Sequence, residues 1–249
     1  MKISVITACF NCEKTIEKTI QSVLAQTACS VEYIIIDGGS TDGTRSIIEK
    51  YREFIAHFIS EKDDGLYSAI NKGIELASGD ILGLLHGDDV YRDHLVLAQV
   101  CNVFSENSCD ATYSDVIYKD KYLEKVVRRY NSRLFKPSMF AYGMMPAHTS
   151  LFVKKLVFST IGKYDESYKI GADFDFYIRL FSIPRFKIIY SPDTWVTMRV
   201  GGKSRFSVGN LILINSEILR ACAYNGVKTN IVRILCRYVF KVRELITIS

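Results

Sequence analysis

Tyr33-Ile34-Ile35-Ile36-Asp37-Gly38-Gly39-Ser40-Thr41-Asp42-Gly43-Thr44 is the stretch on which the reading turns. Four apolar residues in a row leave no solvent face, so the run is a strand covered on both sides, as in a parallel sheet flanked by helices. An acid directly after such a run emerges at the carboxyl end of its strand, where open α/β sheets gather their binding residues. Asp37 is therefore expected to face a crevice. The glycines after it let the backbone turn sharply and a ligand come close. Of Ser40, Thr41 and Asp42, Asp42 is taken as the cap of the next helix.

Upstream, Ile3 to Thr7 is another β-rich run, followed by Ile16, Ile20, Val23 and Leu24 at helical spacing. Downstream come a helix with Ile47, Ile48, Tyr51, Phe54 and Ile55 on one side, a short strand over 57–60, a helix over about 66–77 and a strand over 81–85. Four βα units in succession predict a doubly wound α/β sheet. The second half is less regular. It predicts strands over 111–117, 122–130 and 148–153, a helix over 174–181, and a strand over 186–190 ending before Pro192.

Three of the four strand-end loops present acids: Asp37 to Thr44, Glu61-Lys62-Asp63-Asp64-Gly65 and His86-Gly87-Asp88-Asp89. Adjacent carboxylates such as Asp88 and Asp89 repel unless a positive charge sits beside them, and a hard divalent cation on substrate phosphates answers that need. The plainer reading is a solvated turn before a helix starting near Tyr91, the acid favoured by the helix dipole. Asp37 and Asp63 at neighbouring strand ends favour the ligand reading. The first βα turn, Cys9-Phe10-Asn11-Cys12, has no glycine, which disfavours a dinucleotide. Its C-x-x-C spacing lacks an intervening Pro or Gly and a second pair, so neither redox nor zinc chemistry is assigned.

The 249 residues carry 32 Lys+Arg against 27 Asp+Glu, a balance of +5. Arg220 to Ser249 holds six of the bases and one acid, so the preceding part is neutral. A neutral body with a basic tail lacks the spread of positive charge that a nucleic-acid groove needs, and nucleic acid is excluded as a partner. Apolar content of 48% indicates an ordinary globular chain. No window offers the roughly 20 uncharged apolar residues of a spanning helix, and the N-terminus lacks a secretory pattern, so a cytoplasmic protein is expected. Seven scattered cysteines fit reduced thiols.

Ile3-Ser4-Val5-Ile6-Thr7 with Asn11, the Ile36 to Thr44 run, Asn71-Lys72-Gly73 with Ala77-Ser78-Gly79-Asp80, and Gly87-Asp88-Asp89 together closely resemble the family 2 glycosyltransferases, in the family's order and spacing. The resemblance covers roughly residues 1–205. It implies a GT-A fold, a Rossmann-like, mostly parallel sheet flanked by helices, and inverting transfer from a nucleotide-diphosphate sugar with Mn²⁺ or Mg²⁺. The implied domains are 1–205, with a nucleotide-sugar-binding half (1–105) and an acceptor-side half (106–205), and a C-terminal helical extension (206–249). Thr7 and Asp37 match positions that contact the base and ribose, Asp63 the acid that reads the base, and Asp88 a contact to ribose and donor sugar. Asp89 matches the metal ligand, and Lys72 a phosphate partner. His86 stands where many members carry the first acid of the metal motif, and Ile70 where many carry a basic residue.

Gly171-Ala172-Asp173-Phe174-Asp175-Phe176-Tyr177-Ile178-Arg179-Leu180 resembles the family's acidic helix start, with Asp173 at the position of the catalytic base. Two residues apart on a helix, Asp173 and Asp175 diverge by about 200° and cannot share a crevice; Asp175 is assigned to structure or a salt bridge. Met145-Pro146-Ala147-His148-Thr149-Ser150 and Arg199-Val200-Gly201-Gly202-Lys203-Ser204 resemble elements of a bacterial surface-polysaccharide subgroup. They imply His148 on the acceptor side and Arg199 and Lys203 in a loop over the leaving diphosphate. The implied partners are an NDP-sugar, UDP-sugar favoured, and a glycan or lipid-linked acceptor. A nucleotidyltransferase making NDP-sugars would need a Gly-rich basic loop near the N-terminus. A non-catalytic nucleotide-sugar-binding protein is the other alternative.

Helices are predicted over 208–224 and 229–248. In the second, Ile231, Ile234, Leu235, Tyr238, Val242, Leu245 and Ile246 follow helical spacing, and Arg233, Arg237 and Lys241 form an i, i+4, i+8 stripe. Such a helix packs on its own domain with its charges in water, lies on the inner face of an anionic membrane, or forms a homodimer.

Overall fold

The computed structural model describes residues 1–27, 30–200 and 208–246. Strands β1 (Lys2–Cys9), β2 (Ser30–Asp37), β3 (His57–Ser60) and β4 (Ile81–Leu84) pair in parallel in the order β3-β2-β1-β4. They are joined by α1 (Ile16–Leu24), α2 (Thr44–Glu49) and α3 (Leu66–Leu76). The register sets Cys9 beside Asp37 and Asp37 beside Ser60, so three loops leave the sheet at one rim. Ile34 and Ile36 enter the core shared with α3, while Tyr33 and Ile35 enter the opposite core with Ile16 and Ile20 of α1. The apolar run is covered on both faces, which makes the α/β assignment.

Beyond β5 (Val90–Tyr91) and α4 (Val96–Asn107), β6 (Ala111–Lys119), β7 (Val126–Tyr130), β8 (Phe152–Lys154) and β9 (Ile188–Arg199) extend the sheet as β4-β8-β6-β9-β5, with β7 on β6. Only β5, β7 and β8 run against the rest among the described strands, so the sheet is mostly parallel. Helices α5 (Lys155–Ile161), α6 (Ala172–Phe181), α7 (Val208–Tyr224) and α8 (Ile231–Ile246) complete the chain.

Several boundaries differ from the sequence reading. The last strand runs on past Pro192, because the register against β6 slips between Tyr113 and Asp115 and the extra residues, with exposed Pro192 among them, bulge out. Tyr91 starts no helix; it pairs with Val196 as a short strand. Residues 148–150 form a 3₁₀ turn rather than strand, and strand pairing in 122–130 is confined to β7, where Leu123 has φ 65° in the preceding turn.

Helix α3 lies flush on β1 because residue 73 has no side chain. A Cβ there would stand 2.4 Å from Ile6 Cγ2, inside the core. Alanine gains about 1 kcal/mol of helix propensity, and overpacking costs about 1–3 kcal/mol. Gly73→Ala should therefore lower unfolding free energy in urea by up to about 2 kcal/mol.

The C-terminal helices share the main core. Ile218, Ala221 and Cys222 of α7 and Ile234 of α8 are buried in the same cluster as Phe174 and Phe176 of α6. Arg237 does not join a solvent-facing stripe. It is buried, donating to Asn215 Oδ1 (2.8 Å) and to the carbonyl of Gly143 (3.3 Å), because its helix face is the one that packs inward.

Candidate active site

At the rim, Asp37 is buried rather than open to the crevice. Its carboxylate accepts the Ser40 N–H (3.0 Å), the Ser60 hydroxyl (2.7 Å) and the Ser40 hydroxyl, with Cys9 Sγ at 3.8 Å. These hydrogen bonds hold the turns that follow Asp37. Thr7, two residues inside the end of β1, is equally buried, its hydroxyl 3.2 Å from that of Tyr33. Both side chains hold the rim together from within the sheet. Asn11, in the left-handed region at φ 52°, accepts the Thr41 N–H (2.9 Å) and ties the first loop to the second. Asp42 accepts the Thr44 N–H (3.0 Å), the first amide of α2. Burial pushes the Cys9 thiol up, the opposite of a redox thiolate, and Cys9 and Cys12 are unbridged.

Asp63 and Lys72 meet across the next gap. Lys72 Nζ lies 2.5 Å from Asp63 Oδ1 and 2.5 Å from Glu61 Oε1, and these two carboxylates push its ammonium up. Lys72 thus bridges two acids at the rim. Asp63 Oδ2 is buried with no hydrogen-bond partner among the described residues, 3.5 Å from where a Cβ on Gly38 would stand. A buried carboxylate oxygen without a donor is costly, and its place between the second and third loops suits a donor from a bound base.

In the fourth loop, Asp88 is half-buried and Asp89 buried. Burial, then repulsion from Asp88, pushes the Asp89 carboxyl well above the usual range, against the pull of the Arg199 backbone N–H. No group of three or more His, Cys, Asp or Glu side chains is arranged for a metal among the described residues. The Asp88–Asp89 pair offers the one or two carboxylates that Mn²⁺ or Mg²⁺ takes, phosphate oxygens and water filling the rest of such a sphere. Arg199 donates through Nη1 to the carbonyl of Lys121 (2.6 Å), while its Nε and Nη2 are buried and without partners among the described residues. Lys203 lies outside the described residues.

Asp173 stands in the first turn of α6, 17% exposed. Its Oδ1 accepts the Phe174 N–H (2.8 Å) and lies 3.5 Å from the Tyr67 hydroxyl, and its Oδ2 lies 3.5 Å from His148 Nδ1. Burial pushes its pKa up to about 7, opposed by the Phe174 and Asp173 N–H groups and Tyr67, and reinforced by Glu217. His148 in turn meets the ring of His86 at 5.3 Å between centroids. Burial lowers both imidazoles to about 4, so at neutral pH they are uncharged. Through His148 the contact joins the Asp88–Asp89 loop to the α6 carboxylate. Asp175 faces away, paired with Arg179 Nε (2.8 Å) and accepting from Asn225 (2.8 Å). A carboxylate with a pKa near neutrality, in contact with the crevice, is equipped to take a proton.

Sequence reasoning gave no role to three contributors. Tyr67, whose hydroxyl donates to the carbonyl of Ile170 (2.5 Å), and Asn71, which bonds the backbone of Tyr164 in both directions (2.8 and 3.1 Å), hold the loop before α6 from the α3 side. Glu217 holds it from α7, accepting the N–H groups of Lys169, Ile170 and Gly171. The available signal was an acid between Ile214 and Ile218, on the helix side that also carries Ala221.

Residues 4–156 match the family model described as glycosyl transferase family 2. A PGL/p-HBAD biosynthesis glycosyltransferase of Mycobacterium tuberculosis is 31% identical over 186 residues, 73% of this chain and 70% of that protein. The chondroitin synthase of Escherichia coli is 28% identical over 191 residues, 75% of this chain and 27% of the longer synthase. Among solved structures, residues 1–349 of S. aureus TarS in complex with UDP superimpose with a TM-score of 0.66 at 20% identity, covering 92% of this chain and 67% of that one. The mannosyltransferase PcManGT of Pyrobaculum calidifontis, in complex with GDP-Man and Mn²⁺, gives 0.63 at 18%, covering 88% and 64%. With the motifs at the strand ends and the sheet order they serve, the chain belongs to glycosyl transferase family 2 and has the GT-A fold.

Proposed function

We propose that the protein transfers a sugar, with inversion, from an NDP-sugar to a hydroxyl of a glycan or lipid-linked acceptor in surface polysaccharide biosynthesis, UDP-sugar being the favoured donor. The observation that carries this is Asp173, a crevice carboxylate with its pKa pushed to about 7. In the forward step the acceptor oxygen bonds to the anomeric carbon and its proton passes to Asp173. The bond to the nucleoside diphosphate breaks on the opposite side, its electron pair leaving with the diphosphate. Asp63 reads the base through its unpartnered oxygen, Asp88 contacts ribose and donor sugar, and His148 borders the acceptor. Asp89 with the donor's phosphates would hold Mn²⁺ or Mg²⁺, which supplies charge neutralisation to the leaving diphosphate. Residues 1–105 serve the donor and 106–205 the acceptor. The UDP, UDP-GlcNAc and GDP-Man complexes of the structural neighbours support the ligand class.

Thermal unfolding with a series of nucleotides and NDP-sugars tests the reading. A UDP-sugar at about 100 times its Kd should stabilise the chain by about 2.7 kcal/mol, more with Mn²⁺ than without. Stabilisation by none of them would overturn it, and stabilisation without donor turnover in the presence of acceptor would favour the non-catalytic binder.

Peripheral attachment to a membrane is part of the same proposal. No helix among the described residues is long and apolar enough to cross a membrane. Ile231, Val232 and Leu235 of α8 and Ile212 of α7 are exposed, and α8 packs beside β7. The segment 119–136 that contains β7 carries seven bases against two acids. Apolar side chains beside bases suit an anionic lipid surface. Because Ile234 and Arg237 are buried in the fold, deletion of α8 would damage the body. Val232→Glu with Leu235→Glu is the cleaner test, expected to cut co-sedimentation with anionic vesicles at least tenfold while leaving thermal unfolding unchanged.

A further inference from the structure

Three consecutive backbone N–H groups converge on one side chain just before α6. Glu217 accepts Lys169 N–H at Oε1 (2.8 Å) and the N–H groups of Ile170 (2.9 Å) and Gly171 (2.8 Å) at Oε2. Successive amides pointing the same way form a cradle for an anion, and the N-terminal end of a helix favours one there. Here the anion is a carboxylate from another helix, buried to 6% exposure. The residue at the cap is a glycine for a steric reason, since a Cβ on Gly171 would stand 3.1 Å from Glu217 Cβ and 3.2 Å from Oε2. Asp173 follows two residues later. Farther along, Asn225 donates to Asp175 (2.8 Å), so α7 holds α6 at a second point.

We propose that Glu217 is a positioning residue for the reaction: by gathering the amides of 169–171 it fixes the first turn of α6, and with it the direction in which the Asp173 carboxylate meets the acceptor hydroxyl. This rests on the reading of Asp173 as the proton acceptor. A glutamine cannot replace Glu217 in full, because its NH₂ group would confront one of the three donors. An aspartate keeps the charge but is one methylene short.

Charge supplies a readout that a scaffold role would not move. The groups facing Asp173 are Tyr67 of α3, His148 of the 3₁₀ turn, Tyr164 of the preceding loop, Tyr177 of α6 and Glu217 of α7. The three tyrosines are pushed up by burial and His148 is pushed down to about 4, so all four are neutral between about pH 5 and 9. Glu217 is the remaining acid in that set, and it raises the proton affinity of Asp173 beyond what burial does.

The test is a carboxyl ¹³C titration of the full chain, the Asp173 resonance being assigned by its loss in Asp173→Asn, together with hydrogen exchange of the amides of 169–171. In Glu217→Gln the Asp173 midpoint should fall below its wild-type value of about 7, with the three amides exchanging at least tenfold faster. In Glu217→Asp the midpoint should stay and the amides still lose protection. Asn225→Ala, which frees α6 at its other hold, should leave both unchanged. Turnover of the UDP-sugar that stabilises the wild type most should fall at least tenfold in Glu217→Gln, with its KM unchanged. An unmoved midpoint, equal protection, or the same response in Asn225→Ala would overturn the proposal. Normal transfer by Asp173→Asn would instead overturn the base assignment, leaving the titration result standing.

Discussion

Asp173→Asn should reduce sugar transfer by about 10²–10⁴-fold while leaving donor affinity within about twofold. The amide matches the carboxyl in size and still accepts the Phe174 N–H at the Oδ1 position, so the first turn of α6 survives. What it loses is the ability to take a proton. Equal loss of transfer and donor binding would show that the residue shapes the donor site instead. The wild-type enzyme carries a matching pH signature. The carboxyl works only when ionised, so transfer should rise with pH through about 7, where burial has pushed its pKa. Stability moves the other way. A folded-state pKa raised above the unfolded value of about 3.9 gives stability that is present below that value and lost as pH rises through about 7. Above pH 7, therefore, Asp173→Asn should unfold at a higher temperature than the wild type, an inactive but more stable protein.

Asp89→Asn is the second large effect. Transfer should fall by about 10²–10³-fold, the equivalent of losing several kcal/mol of charge stabilisation at the leaving diphosphate. The added thermal stabilisation that Mn²⁺ gives to the donor-bound wild type should disappear. The protein alone should be as stable as wild type or more so, because Asp89 is buried beside Asp88 and burial holds its carboxyl far from its ordinary titration. Retained Mn²⁺ dependence in Asp89→Asn would move the metal assignment to another residue. These two variants separate cleanly: the first spares donor binding, and the second spares the base.

Much of this architecture was legible from apolar runs alone. The run 33–36 has to be covered on both faces, and Ile34 and Ile35 do fall into different cores. Helix 208–224 was bounded correctly because its pattern ends at Tyr224 before Asn225-Gly226, with Gly226 at φ 72°. Pro192 misled because a proline ends a regular strand but is tolerated on a bulge, and bulges are set by the partner strand. The division of labour between Asp173 and Asp175 followed from helical geometry, and Asp175 is indeed paired with Arg179. Asp37 and Thr7 show the limit. Motif position marked them, but only the three-dimensional neighbours, Ser40, Ser60 and Tyr33, show that their side chains are already engaged. Glu217 lay beyond reach for a different reason. Its partners are backbone amides 46 to 48 residues away, and a backbone amide has no sequence identity to match.

The two holds of α7 on α6 bear on how such enzymes can be recombined. A chimera that joins one parent's residues 1–205 to another's C-terminal helices would seem to exchange a detachable appendage. It would in fact cut between Glu217 and the amides of 169–171, and between Asn225 and Asp175. Parents that differ at these pairs would give hybrids that bind donor but turn over slowly. A functional graft needs a crossover placed before the loop leading into α6, so that both sides of the clasp descend from one parent.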